Sequence, residues 1–145
     1  MSAVQPPLRP PHSAAVPLAG PEDALSVVFA AMSEPERHET VLLLLDHAHR
    51  GLGCVVVTGR GPLSALTDVV EELALQEPAL CGFVLATVRP GAGYLPDARD
   101  EHAFHDVRAR LDVLGVDLVD WFMIAQRHAA SMAEITDSQL RWRKR

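Results

Sequence analysis

A chain of 145 residues is long enough for one domain with a substantial hydrophobic core and too short for two. Its formal charge of −6 and pI near 5.6 argue against a general nucleic-acid binder, whose affinity would come from neutralising phosphates. No apolar run approaches the roughly 20 residues that span a bilayer, and the first residues lack the basic and apolar segments of a signal peptide, so a cytoplasmic protein is expected.

Residues 1–20 carry Pro6, Pro7, Pro10, Pro11 and Pro17 among small residues, a composition that removes backbone donors and offers little apolar surface; a flexible lead is expected. A first helix should start at Pro21, with Glu22 and Asp23 at the positive end of its dipole, and bury Leu25, Val28, Phe29 and Met32. Residues 39–45 form an apolar run too short for most helices. Cys54 to Thr58 form a second, rich in β-branched residues, and the polar stretch Asp46 to Gly53 between them reads as a hairpin connection. Cys54 and Cys81 each sit within apolar runs with no partner at metal-ligand spacing, which reads as buried packing.

Gly59 to Pro62 breaks the pattern ahead of a second helix with the stripe Leu63, Leu66, Val69, Val70 and Leu73. Gly82 to Thr87 is apolar on both faces, the mark of a central strand. A loop with Gly91 and Gly93 leads into a third helix over residues 98–114, with Phe104, Val107, Leu111 and Leu114 inward and Gly115 placed to cap it. Val116 to Ile124 should be a fourth strand, followed by a short strand near Ser131 and Met132, a terminal helix and a basic end. The element order points to a mixed α/β layer fold. Domain boundaries follow as a lead over 1–20, the folded unit over 21–132 and a tail over 133–145.

The run Glu39-Thr-Val-Leu-Leu-Leu-Leu-Asp46, the strand end Val57-Thr58-Gly59 before a helix, the register of Thr87, Arg89, Pro90 and Asp100, and Leu118-Val119-Asp120-Trp121 together resemble the RadC-like branch of the JAB/MPN (JAMM) metal-hydrolase family. The resemblance implies a cytidine-deaminase-like mixed sheet flanked by helices. In that family two His and an Asp hold zinc and an upstream Glu polarises the attacking water. Here the resemblance lays Thr87 and Arg89 on the two His, Asp97 on a Ser, Asp100 on the Asp, Glu39 on the Glu, and Trp121 on the His of a Leu-Leu-Asp-His run.

Thr is a poor zinc ligand, and the permanently cationic guanidinium of Arg89 has no lone pair to give, so no zinc and no other cofactor is expected. Arg89 instead pairs with Asp100, Asp97 or Glu39 in this reading, holding the old site shut. The plainer roles stay open beside it: Asp97 and Asp100 as helix caps, Glu39 as a solvated strand start. The implied function is a catalytically inactive RadC-like domain that binds or scaffolds a protein partner. Two alternatives stand: a diverged metal-dependent (iso)peptide hydrolase recruiting Asp97, Asp100 and His102 or His105, and a DNA-associated accessory protein using Arg141, Arg143, Lys144 and Arg145. His47 and His49 form an H-x-H that a hairpin turn should leave facing water.

Overall fold

The computed structural model describes residues 17–59, 65–136 and 142. Its elements are α1 (Pro21–Ala31), β1 (Glu39–Leu45), β2 (Gly51–Thr58), α2 (Leu66–Gln76), β3 (Gly82–Val88), α3 (Ala98–Val113), β4 (Asp117–Ala125), β5 (His128–Ser131) and α4 (Met132–Ile135). The strands form one sheet in the order β2-β1-β3-β4-β5, with β3 and β4 parallel and the other neighbours antiparallel. This is the mixed sheet with flanking helices that the sequence implies.

β1 and β3 are buried on both faces, and that is why they are apolar along their length instead of alternating. On one side Leu42, Leu44, Val55, Phe83, Leu85, Trp121 and Met123 pack against Leu66 and Val70 of α2 and Phe104, Val107 and Leu111 of α3. On the other, Val41, Leu43, Leu45, Val84, Ala86 and Phe122 meet Ala24, Val28 and Met32 of α1, together with Trp142. β2 runs parallel to β3, since both are antiparallel to β1, so the chain crosses over through α2 and then α3 on the same face. Both helices therefore run in one direction.

An extra residue interrupts the β3–β4 ladder: Phe83 pairs with Leu118 but Val84 pairs with Asp120, leaving Val119 as a bulge. Without it, Leu118 and Trp121, three residues apart, could not share the α2/α3 face. The bulge also sets Asp120 opposite Val84, on the α1 side.

Three local expectations are corrected. α3 stops at Val113, and Leu114 is left 40% exposed instead of packing inward; Gly115, at φ +76°, closes the helix with its N–H on the Asp112 carbonyl. β2 starts at Gly51, so the hairpin connection is shorter than the polar stretch suggested. Ser131 ends β5, whereas Met132 already opens α4. Leu63 and the expected terminal helix fall outside the described residues. Of the proline-rich lead, Leu18 packs on the α1 core and donates its N–H to the His49 carbonyl at 2.9 Å. No helix among the described residues is long and apolar enough to cross a membrane.

Candidate functional site

The β3–α3 connection places the site. β3 ends at Val88, and Arg89 continues the parallel pairing with its N–H on the Ile124 carbonyl at 2.9 Å. Gly91, at φ +82°, provides the left-handed residue that turns the chain, and α3 begins after Asp97. Asp97 and Asp100 form a reciprocal capping box: Asp97 Oδ1 accepts the Asp100 N–H, and Asp100 Oδ2 accepts the Asp97 N–H, both at 3.0 Å. The hydrogen bond from the Asp100 backbone is the main reason that the Asp97 carboxyl sits below its ordinary range; Arg89 and Arg99 add to it.

Arg89 folds back over this helix start. Its Nη1 and Nη2 donate to Oδ1 and Oδ2 of Asp100, each at 3.0 Å, the two parallel bonds of a guanidinium–carboxylate fork. The Asp100 side chain is 4% exposed and that of Arg89 25%. Asp100 is thus fully engaged: one oxygen serves Arg89 alone and the other serves both Arg89 and the Asp97 N–H. Of the three acidic partners the sequence offers to Arg89, the structure chooses Asp100.

Glu39 is on the opposite face. It pairs with Val88 across the β1–β3 ladder, while Thr40 pairs with Thr87, so alternation turns Glu39 toward α1 and Thr87 toward α3. Nor is it a solvated strand start. Its carboxylate is buried and ties down the loop after α1, accepting the Ser33 N–H at 2.8 Å, the Ser33 hydroxyl at 2.7 Å and Arg37 Nε at 3.0 Å.

Thr87 is equally committed. Its Oγ1 accepts the indole Nε1–H of Trp121 at 2.8 Å and shares a hydrogen bond with Thr40 Oγ1 at 3.0 Å, all inside the core. Thr87 and Trp121 therefore bond to each other, as Arg89 and Asp100 do.

Two further carboxylates, to which the sequence assigns no site role, are also engaged. Asp120 is fully buried and collects four donors: the N–H groups of Trp121 (2.7 Å) and Ala133 (3.0 Å) on Oδ1, and the Ser131 hydroxyl (2.7 Å) and Trp142 Nε1 (3.2 Å) on Oδ2. Burial pushes its carboxyl above the ordinary value, against the pull of those donors. Glu36 receives the N–H groups of Gln126 (2.9 Å) and Arg127 (2.8 Å), two residues at positive φ in the β4–β5 turn, while Arg127 Nη1 reaches Glu34 at 3.0 Å. Asp120 stood in the Leu118-Val119-Asp120-Trp121 run singled out in the sequence, within an otherwise apolar stretch.

The histidines do not join the site. His47 is exposed, but His49, expected to face water, is 2% exposed and meets the ring of Trp142 edge-on at 6.0 Å. Trp142 itself is buried between His49 and Asp120, so its ring is not a free stacking group on a basic tail. His102 and His105 are exposed on the outer side of α3, and His105 Nδ1 lies 3.2 Å from Arg108 Nη2.

As a donor set for zinc these residues do not fit. A buried hydroxyl already hydrogen-bonded, a permanent cation and a carboxylate engaged by that cation give no tetrahedral three-ligand arrangement with an open position. Among the described residues, no group of three His, Cys, Asp or Glu side chains converges to hold a metal ion.

The family model for the RadC-like JAB domain matches residues 18–138, well over half of the chain. No curated protein matches the sequence.

Proposed function

We propose that this chain, which belongs to the RadC-like JAB domain family, is a member without catalytic zinc that works by binding or scaffolding another protein. The observation that carries the reading is the Arg89–Asp100 fork. A guanidinium has taken the place of the cation beside the aspartate, and it answers the carboxylate's charge with fixed geometry and no electrophile. A divalent ion entering there would have to displace Arg89 and then sit beside its positive charge.

The chain supplies what persistence without catalysis requires. The Thr87–Trp121 bond and the Asp97–Asp100 box keep the strand, loop and helix of the old site in place, while Glu39, turned away, fastens the α1–β1 loop instead of a water molecule. A role in binding rests on fold analogy and on this retained frame.

Metal analysis of protein purified without an affinity tag tests the proposal. The expected result is well under one equivalent of zinc, with no change on Asp100→Ala. One tightly held equivalent that disappears in Asp100→Ala would favour the diverged hydrolase.

A further inference from the structure

Among the described residues β2 closes the sheet on one side and β5 on the other. β5 has the exposure of an open edge, since each of its residues is exposed or half-buried. β2 does not: Gly53 to Val57 are buried without a break, with Cys54 only 1% and Val56 only 2% exposed.

The phase of the β1–β2 ladder makes that burial informative. Gly59 donates its N–H to the His38 carbonyl, so Thr40–Val57 and Leu42–Val55, two and four residues further along, are the pairs that exchange hydrogen bonds. Cys54 and Val56 alternate with them and turn their N–H and C=O groups outward, away from β1, where no described strand lies. Buried backbone groups are nearly always paired, and an extended chain is what pairs such a row. The strand also lacks the usual protection of an edge: Gly51–Thr58 holds no charge and no proline, and three of its residues in succession are valine.

Connectivity narrows what can lie there. Residues 60–64 must carry the chain from Gly59, past the end of β2, to the start of α2, and 137–141 must carry it from α4 to Trp142 beside Asp120. Residues 143–145 are fewer than the five buried residues of β2. Residues 1–16 are long enough, and they enter at the right place: Leu18 is fixed with its N–H on the carbonyl of His49, two residues before β2 begins. Within them His12-Ser-Ala-Ala-Val16 is free of proline, bounded by Pro11 and Pro17. Five extended residues span about 17 Å, the length of Gly53 to Val57.

We propose that residues 12–16 add a sixth strand along the outer edge of β2 and so guard it against pairing with another chain. The strand is antiparallel to β2, because the chain traced backward from Leu18 runs in the direction in which β2 runs forward. It supplies partners to the outward N–H and C=O groups of Cys54 and Val56. Pro10, Pro11 and Pro17 bracket it, and prolines on its own outer side deny donors to any further strand. The proline-rich lead thus has a structural task, which is independent of zinc content and of any partner of the old site.

Amide hydrogen exchange by NMR on the full chain tests it, with Ser13→Pro/Ala14→Pro/Ala15→Pro as the variant that cannot pair in either phase. In wild type the Cys54 and Val56 amides should exchange slowly. In the triple-proline variant they should exchange at least tenfold faster, while the inward amides of Val55 and Val57 keep their protection and report an intact sheet. Gln5→Pro, outside the five residues, should leave all four amides unchanged. Sedimentation velocity should find the variant associating at concentrations where wild type is monomeric. Fast exchange of Cys54 and Val56 in wild type overturns the proposal, as does protection that survives the three prolines; faster exchange in a variant that stays monomeric overturns the guarding role.

Discussion

Arg89→Met removes the guanidinium fork and leaves the stem, so it isolates what the fork contributes. The substitution strands a carboxylate that is 4% exposed and retains one side-chain acceptor bond, from the Asp97 N–H at 3.0 Å. Breaking a fully buried pair costs about 3–5 kcal/mol, because the surviving charge has lost its partner. Here Arg89 is 25% exposed, so water reaches the vacated space, and the amides of the first turn of α3 favour a negative charge. Both effects bring the expected cost down to about 2 kcal/mol, or roughly 4–8 °C in Tm for a domain of this size. Urea unfolding of wild type, Arg89→Met, Asp100→Asn and the double variant closes the cycle: the double variant should lose less than the sum of the singles, with a coupling of at least about 1 kcal/mol. A loss below about 0.5 kcal/mol in Arg89→Met, or additive singles, would refute the view that the fork holds the site together.

Other consequences follow from the same contacts. Asp120→Asn should destabilise by about 1–3 kcal/mol in urea unfolding, because an amide nitrogen placed at Oδ2 would meet the Trp142 Nε1–H donor to donor. Since burial raises the Asp120 carboxyl, its contribution is greatest at low pH and declines as pH rises through the native value; the Asp120→Asn deficit should therefore be largest in acid and shrink toward neutrality. Asp97 behaves in the opposite sense. Its lowered carboxyl stabilises the fold above its unfolded value and stops doing so as pH falls through the native one, so Asp97→Ala should lower Tm at pH 7 with a gap that closes in acid. Burial pushes the Cys54 thiol up to about 11, so a disulfide-exchange reagent at pH 8 should leave Cys54 unmodified in the native protein and label it after unfolding.

The fold was largely legible because burial on both faces leaves a plain trace. Glu39 to Leu45 and Gly82 to Val88 are continuous apolar runs of strand length, and Pro21 and Gly115 punctuate helices for reasons intrinsic to their backbones. Leu114 misled because helical periodicity does not reveal where the helix ends, and Val119 was invisible because a bulge is a property of the ladder and not of one strand. The site was legible in part. The sequence offered Arg89 three acids, Asp100, Asp97 and Glu39, and only the fold selects Asp100. That Glu39 turns to the other face depends on its register against Val88, which one strand alone cannot show. His49 looked solvated because polar residues fill its turn, yet Trp142, distant in sequence, buries it. Asp120 collects donors from β4, β5, the start of α4 and Trp142, a convergence created only by the tertiary fold.

The most direct test of the central claim is a crystal structure of the tag-free protein grown in the presence of zinc. It should show both guanidinium nitrogens of Arg89 still on the Asp100 carboxylate and no metal between them. Zinc bound to Asp100, with Arg89 swung away, would contradict it.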